Sequence, residues 1–531
     1  MIGRSRLQPL LLRKLPSLHA RANSILVNVE CSGMNISFPD VLPHWVGGKK
    51  VFPNPGTKLM PKVYPATSEV ICKVPVADEG FVDYAVEIAR EGFKVWSRMS
   101  GNERGRILAN AGKMLLDAHP ELARLEVLDT GKPLSESVSD TSGADSVQFF
   151  SGLASTVCVS GSYIPLGSKA FGYTRREPLG VCVGIGAWNY PNQIALWKSA
   201  PALACGNSVI LKPSELTPLT ALRIAEIYSE AGVPPGVFNV VHGDHTTGSL
   251  LAGHKGVRKV SLTDRQGSVP TGKKIMERAA TTLKTISLEL GGKSPMIVFN
   301  DANIDNAVRG AMMANFYCQG EVCSNGTRLL VQESIKDDFM HRFCELTNRI
   351  RIGDPMKEST QFGALITENH MKKVRSYIDE AKSQGCHPVL DRSVVTDLHS
   401  SIRNGFFLGP VIFEKCTKDS RLLKEEIFGP VACVQTFKTE EEAIEMANGT
   451  DFGLAAAVFT NDIQRAHRVV DQLDAGTCWI NEYNLSPPEL PFGGRKESGF
   501  GKEGGVEAVS YYSQIKSVYV AMSNVWCPYD E

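Results

Sequence analysis

Two short segments of this chain carry residues suited to covalent chemistry. One is Cys318-Gln319-Gly320-Glu321-Val322-Cys323, a turn-like run with a thiol at each end. The other is Leu288-Glu289-Leu290-Gly291-Gly292-Lys293, in which a carboxylate closes an apolar run just before a glycine pair. A thiolate attacks carbonyl carbon readily, and a carboxylate near it can activate a water for a later hydrolysis. Thirteen cysteines compete for the nucleophile's role, and an isolated Cys often serves as a small buried apolar residue.

Three further segments offer polar groups where a ligand could sit. Gly186-Ala187-Trp188-Asn189-Tyr190-Pro191 follows the apolar run Val181–Ile185, so it occupies a loop at a strand's carboxyl end, where α/β sheets place ligands. The Asn189 amide there can donate to a developing oxyanion or cap the next helix. Lys212-Pro213-Ser214-Glu215 ends the next strand; its Lys suits a ribose or phosphate oxygen and its Glu suits ribose hydroxyls, while a solvated helix start fits the same residues. Glu425-Glu426-Ile427-Phe428-Gly429-Pro430 and Pro491-Phe492-Gly493-Gly494 read as tight turns.

Two phosphate motifs fail. Gly267 to Lys274 approaches a P-loop, but Lys274 stands where a hydroxyl ligand to magnesium is required. Gly184-Ile185-Gly186 opens a dinucleotide fingerprint whose third glycine is replaced by Asn189.

The elements that must hold these residues follow from patterning. Residues 78–96 and 102–128 read as amphipathic helices, the first capped by Asp78. Short apolar strands at 181–185, 208–211, 239–241 and 260–262 alternate with helices such as 217–231, which predicts a doubly wound parallel α/β sheet. The alternation restarts with strand 295–299 and helix 303–316, predicting a second α/β domain.

Composition sets the outer bounds. A chain of 531 residues exceeds one simple core, so two or three domains are expected. Lys plus Arg and Asp plus Glu each total 57, which leaves no basic field for nucleic acid. No apolar run reaches the roughly 18 residues that cross a bilayer. The cysteines lack paired metal-ligand spacing, so no metal site or disulfide framework is expected and the thiols read as reduced. Residues 1–24 are basic and free of acids, with leucines at helical spacing, so they read as a mitochondrial transit peptide and a matrix address. Pro9 and Pro16 interrupt that pattern and keep an unaddressed leader and a cytoplasmic location open.

Taken together, from about residue 45 to 520, the words around Asn189, Lys212, Glu215, Glu289, Cys323, Glu426, Phe428 and Phe492 resemble the NAD(P)-dependent aldehyde dehydrogenase superfamily. Phe171 to Pro191 and Ala200 to Gly206 resemble its trimethylaminobutyraldehyde and betaine aldehyde branch most. The resemblance implies an NAD-dependent oxidation of an aldehyde to an acid, with 4-trimethylammoniobutanal or a related aminoaldehyde favoured, and a role in carnitine biosynthesis. It implies Cys323 as nucleophile, Glu289 as general base, and Asn189 with the Cys323 N–H as oxyanion hole. It further implies Lys212 and Glu215 at the adenosine ribose, Gly267 and Ser268 at a phosphate-facing helix start, and Trp188, Glu426 and Phe428 around the rest of the cofactor. Tyr190, Trp197 and Tyr483 would line the aldehyde tunnel, where aromatic faces suit a quaternary ammonium or serve ordinary packing. The implied subunit has an NAD domain (25–156 and 177–286), a catalytic domain (287–507) and an oligomerisation flap (157–176 and 508–531), assembled as a homotetramer or homodimer.

Two departures from that pattern stand out. Relatives carry Gly-Gln where this chain has Gly320-Glu321, and a carboxylate pointed at Cys323 would oppose its thiolate. Relatives read Ser-Phe-Thr-Gly-Ser where this chain inserts Asp264-Arg265-Gln266 between Thr263 and Gly267. A non-enzymatic homologue with an impaired cofactor site is one alternative, and a coenzyme-A-acylating semialdehyde dehydrogenase is another.

Overall fold

The computed structural model describes residues 25–263 and 268–529. The leader at 1–24, the insertion at 264–266 and Gly267 lie outside the described residues, and so does the side chain of Ser268.

Two sheets organise the chain. The first has eight strands, in the order Gly499–Phe500, Thr285–Glu289, Val257–Thr263, Val181–Ile185, Ser208–Lys212, Phe238–Val240, His44–Val46 and Lys49–Val51. Its five central strands are parallel. They are largely buried and rich in Val, Ile and Leu, as strands covered on both faces must be. The chain enters this parallel set at Val181–Ile185, builds outward one way, then returns to build the other way from Val257–Thr263. That reversal creates a crevice at the strands' carboxyl ends, bordered by Gly186–Tyr190 and Thr263.

The second sheet has seven strands, in the order His387–Asp391, Val411–Glu414, Val431–Phe437, Arg328–Gln332, Pro295–Val298, Ala455–Phe459 and Thr477–Ile480. Only the His387–Asp391 edge strand runs antiparallel. The chain passes from one sheet to the other between Glu289 and Pro295. A boundary drawn at 286/287 therefore falls inside a strand of the first sheet. A third, small sheet joins Ser513–Ala521, Ala170–Pro178 and Tyr163–Pro165, so the segments expected to form a flap do pair.

The helices follow their predicted signals with one correction. Asp78 caps Glu79–Trp96 by accepting from the Phe81 N–H at 2.8 Å. The stretch read as one helix over 102–128 is two, Gly101–Asp117 and His119–Thr130. Pro120 lacks the N–H that would continue the first helix, and it sits in the first turn of the second. Among the described residues no helix is long and apolar enough to cross a membrane.

One buried side chain ties the small sheet to the first domain. Asn207 accepts from the backbone N–H groups of Leu179 and Gly180 at 2.7 and 3.0 Å. Its amide donates to Ala202 O at 3.1 Å and to Tyr512 O, at the threshold of the last strand, at 2.7 Å. Replacing Asn207 by Ala removes the partner of three backbone groups, the N–H groups of Leu179 and Gly180 and the Tyr512 carbonyl, while Ala202 O keeps the Asn207 N–H, so it is expected to destabilise the protein by about 3 kcal/mol. A calorimetric scan checks this, and an unchanged denaturation midpoint would contradict the assignment.

Candidate active site

The glycine pair 291–292 is where the two reactive segments meet. A Cβ on Gly291 would lie 2.3 Å from the Glu426 carboxylate, and one on Gly292 would lie 2.6 Å from the backbone oxygen of Cys323. Only glycine permits both approaches. Glu289, two residues earlier, ends a buried strand and is 3% exposed. Its carboxylate also abuts Gly493, where a Cβ would lie 2.5 Å from Oε1. The Pro491–Gly494 turn, read from sequence as structural, thus has a second use: it leaves room for Glu289.

Cys323, Glu289 and Asn189 line one cavity of about 1060 Å³. Cys323 is half-buried in a turn, as a nucleophile must be to meet both solvent-borne substrate and a protected site. Cys318 is not an alternative. It is buried, it does not line the cavity, and burial drives its thiol far above the ordinary range. Its segment is shaped for positioning instead: Cys318, Gln319 and Gly320 have φ of 50°, 53° and 77°. Glu136 holds the turn by accepting the Cys318 N–H at 2.9 Å, and Gly320 admits the backbone of Gly429 within 2.4 Å of its missing Cβ.

Asn189 does not cap the following helix. That helix, Pro191–Ala204, has Tyr190 at its cap and no side-chain bond there. The Asn189 amide turns toward the Cys323 segment and donates to the Glu321 carbonyl at 3.0 Å. An amide nitrogen carries two hydrogens, so a second remains for an oxygen bound beside Cys323.

The Glu321 carboxyl points away from Cys323. It is buried, accepts from the Ile366 N–H at 3.1 Å and does not line the cavity. Burial raises its pKa well above the ordinary carboxylate value, which disfavours a negative charge there.

The residues expected around a dinucleotide collect along the crevice. Lys212 is buried at a strand end; its Nζ lies 3.4 Å from Glu215 Oε2 and donates to Pro213 O at 3.2 Å. The helix after them starts only at Leu219, so neither Ser214 nor Glu215 caps it. Glu426 Oε1 accepts the Gly292 N–H at 3.0 Å. Phe428 has φ of 59° and packs edge-on to Trp188, with ring centroids 5.1 Å apart. Trp188 is buried, and its indole N–H has no partner among the described residues. Ser268 opens the helix Ser268–Ala280.

Patterning missed several contributors. His370 donates from Nε2 to Phe428 O at 2.7 Å, fixing the left-handed turn, and burial lowers its pKa to about 4. Glu503 lines the cavity beside Glu289 and forms a buried pair with Lys198 at 2.9 Å. Both depend on contacts distant in the chain, which no local motif reports.

Of the expected tunnel aromatics, Tyr190 and Trp197 line the cavity and Tyr483 does not. Tyr483 is buried behind the nucleophile's turn, with its hydroxyl donating to Ser324 O at 2.8 Å. Trp479, tilted against it with ring centroids 4.9 Å apart, reaches the cavity instead, as do Phe149 and Phe492. Lys132 already covers one face of Tyr190, 3.8 Å from the ring centroid. The carboxylates of Asp140, Asp145, Glu482 and Glu489 also line the cavity.

A sequence model of the aldehyde dehydrogenase family matches residues 52–518. The chain is 51% identical over 488 residues to betaine aldehyde dehydrogenase from Sinorhizobium fredii, covering 92% of this chain and 98% of that one. It is 50% identical over 480 residues to human 4-trimethylaminobutyraldehyde dehydrogenase, covering 90% of this chain and 96% of that one. The fold superposes on a betaine aldehyde dehydrogenase from Staphylococcus aureus solved in complex with NAD+, with a TM-score of 0.88 at 36% identity, covering 92% and 97% of the two chains.

The different settings of the two thiols are open to test. Brief iodoacetamide treatment of the native protein is expected to alkylate Cys323 at least tenfold faster than Cys318, read by peptide mass spectrometry. Faster labelling of Cys318 would contradict the assignment.

Proposed function

The chain belongs to the aldehyde dehydrogenase family, and from that premise we propose that it oxidises a cationic aldehyde to the carboxylic acid with NAD. The carrying observation is that Cys323, Glu289 and Asn189 face one cavity. Cys323 Sγ attacks the aldehyde carbon. The oxygen's developing charge is held by the Asn189 amide and the Cys323 N–H. NAD, when bound, supplies the acceptor for the hydride. Glu289 then takes a proton from a water that attacks the thioester; the carbon–sulfur bond breaks, and acid and thiolate separate.

The crevice suits the dinucleotide on its own residues. Trp188 offers a buried donor packed against Phe428, Glu426 holds the Gly292 N–H, and Lys212 with Glu215 lies at the next strand end. Glu215 would repel a 2′-phosphate, which supports NAD over NADP. A base at Glu289 speaks against transfer to coenzyme A, where a thiol replaces water. The activities for which the relatives are named, and the matched family, weigh against a non-enzymatic homologue.

The aromatic and acidic cavity lining supports a quaternary ammonium or amino aldehyde, with 4-trimethylammoniobutanal first. Exposed Tyr163, Ile164, Ile515 and Tyr519 on the small sheet support assembly as a homotetramer or homodimer. The basic leader supports a mitochondrial matrix address, with the cytoplasm as alternative.

NADH formation from an aldehyde panel tests the substrate. The kcat/KM for 4-trimethylammoniobutanal is expected to exceed that for a neutral aldehyde of similar size by about tenfold or more, the scale of one desolvated cation–π contact. Trp197→Ala is expected to narrow that ratio. Equal values in the unmodified enzyme would contradict a cation-selective site. With cofactor as the variable, Glu215→Gln is expected to raise relative use of NADP, and a native preference for NADP would contradict Glu215's role.

A further inference from the structure

Three thiols meet in the second sheet, away from the cavity. Cys386 immediately precedes the edge strand His387–Asp391, Cys416 closely follows Val411–Glu414, and Cys433 lies within Val431–Phe437. The ladder sets His387 opposite Glu414 and Cys433 opposite Phe413, so neighbouring strands bring the three together. Lys415, at φ 56°, turns the chain so that Cys416 packs on the apolar cluster containing Cys386 and Cys433. Within that cluster Cys416 interacts with both other thiols. Cys386 and Cys433 are buried and Cys416 is half-buried, so a small solute meets Cys416 first.

A buried cation stands beside them. Lys293 is 1% exposed, and its Nζ has no hydrogen-bond partner among the described residues. It acts electrostatically on both Cys416 and Cys433. A buried ammonium in this state needs a counter-charge, and a thiolate beside it supplies one. Burial lowers the lysine's pKa to about 8, which still leaves it mostly charged at neutral pH. Among the described residues no group of three or more His, Cys, Asp or Glu side chains could hold a metal ion, so the cluster is not a metal site.

We propose that Cys416 and Cys433 are a redox modification site, closed to a disulfide by a hydroperoxide and reopened by a dithiol. The Cys433 thiolate, favoured by its hydrogen bond with Cys416 and by Lys293, takes one oxygen from the hydroperoxide. The O–O bond breaks, leaving a sulfenic acid on Cys433 and releasing water or an alcohol. The Cys416 thiol attacks the Cys433 sulfur and gives up its proton; the S–O bond breaks, and the departing hydroxide takes up that proton to become water. Two thiols lose two electrons in total, and the hydroperoxide gains them.

The site is wired to the catalytic crevice. The strand that carries Cys433 is entered directly from Glu426–Pro430, and Lys293 directly follows the Gly291–Gly292 pair whose N–H Glu426 holds. Closing the disulfide removes the thiolate counter-charge of Lys293, leaves Glu426 as its acidic neighbour, and loads the strand behind Phe428. Weaker cofactor binding follows, a consequence that rests on the reading of Glu426 and Phe428 given above.

The test exposes the full chain to hydrogen peroxide, blocks remaining thiols with N-ethylmaleimide under denaturing conditions, and maps tryptic peptides by mass spectrometry. Cys323 oxidation serves as the internal measure of exposure. The expected result is a peptide pair linked through Cys416 and Cys433 that dithiothreitol abolishes, and that is missing in Cys416→Ser. Recovery of both as alkylated thiols while Cys323 is oxidised overturns the proposal, and so does a Cys386–Cys416 link. With Cys323→Ala, whose missing thiol cannot contribute, peroxide is expected to raise the NAD dissociation constant at least threefold, reversibly. Linked peptides with unchanged NAD affinity would overturn the coupling alone; no measurable NAD binding before oxidation would instead overturn the cofactor reading.

Discussion

The glycine pair that follows Glu289 is the constraint on which the site depends. Three segments converge there because two Cβ atoms are missing: the Glu426 carboxylate reaches Gly291, and the Cys323 backbone reaches Gly292. The same residues are the covalent passage between the two sheets. The end of a strand in one domain and a turn in the other are thereby held at van der Waals contact. Glu289, which ends a strand of the first sheet, and Cys323, which precedes a strand of the second, come to share a cavity.

The surroundings spend local strain and burial to keep that geometry. Cys318, Gln319 and Phe428 adopt left-handed backbone conformations that cost a non-glycine residue on the order of 1 kcal/mol or more each. Their compensation is visible: Glu136 on Cys318, the Gly320–Gly429 approach, and His370 on the Phe428 carbonyl. Desolvation has a chemical consequence as well. Burial disfavours the charged form of Glu321, the carboxyl two residues from Cys323.

Much of this was legible in the chain because it is local. Apolar runs ending in a small or polar turn placed Val181–Ile185, Ser208–Lys212 and Pro295–Val298 close to where they lie. Cys323, Glu289 and Asn189 each sit in a distinctive local setting, and the structure gathers all of them around one cavity. What was not legible needs the third dimension. Periodicity ran through Ala118 without registering that Pro120 starts a new helix. Tyr483 looked like a tunnel aromatic, but a strand's alternation cannot say which side of a neighbouring turn it meets; Trp479 has the cavity instead. Glu321 looked threatening only while its direction was unknown. His370, Lys198 and Glu503 act through partners far along the chain.

The central claim is that Cys323 and Glu289 act in sequence on one bound acyl group. Rapid mixing of Glu289→Gln with NAD and aldehyde tests it most directly, by following NADH absorbance through the first turnover. The account predicts a burst of about one NADH per subunit, followed by a steady rate far below that of the unmodified enzyme, because the thioester forms and then waits for its base. Slow NADH formation from the first moment, with no burst, would contradict it.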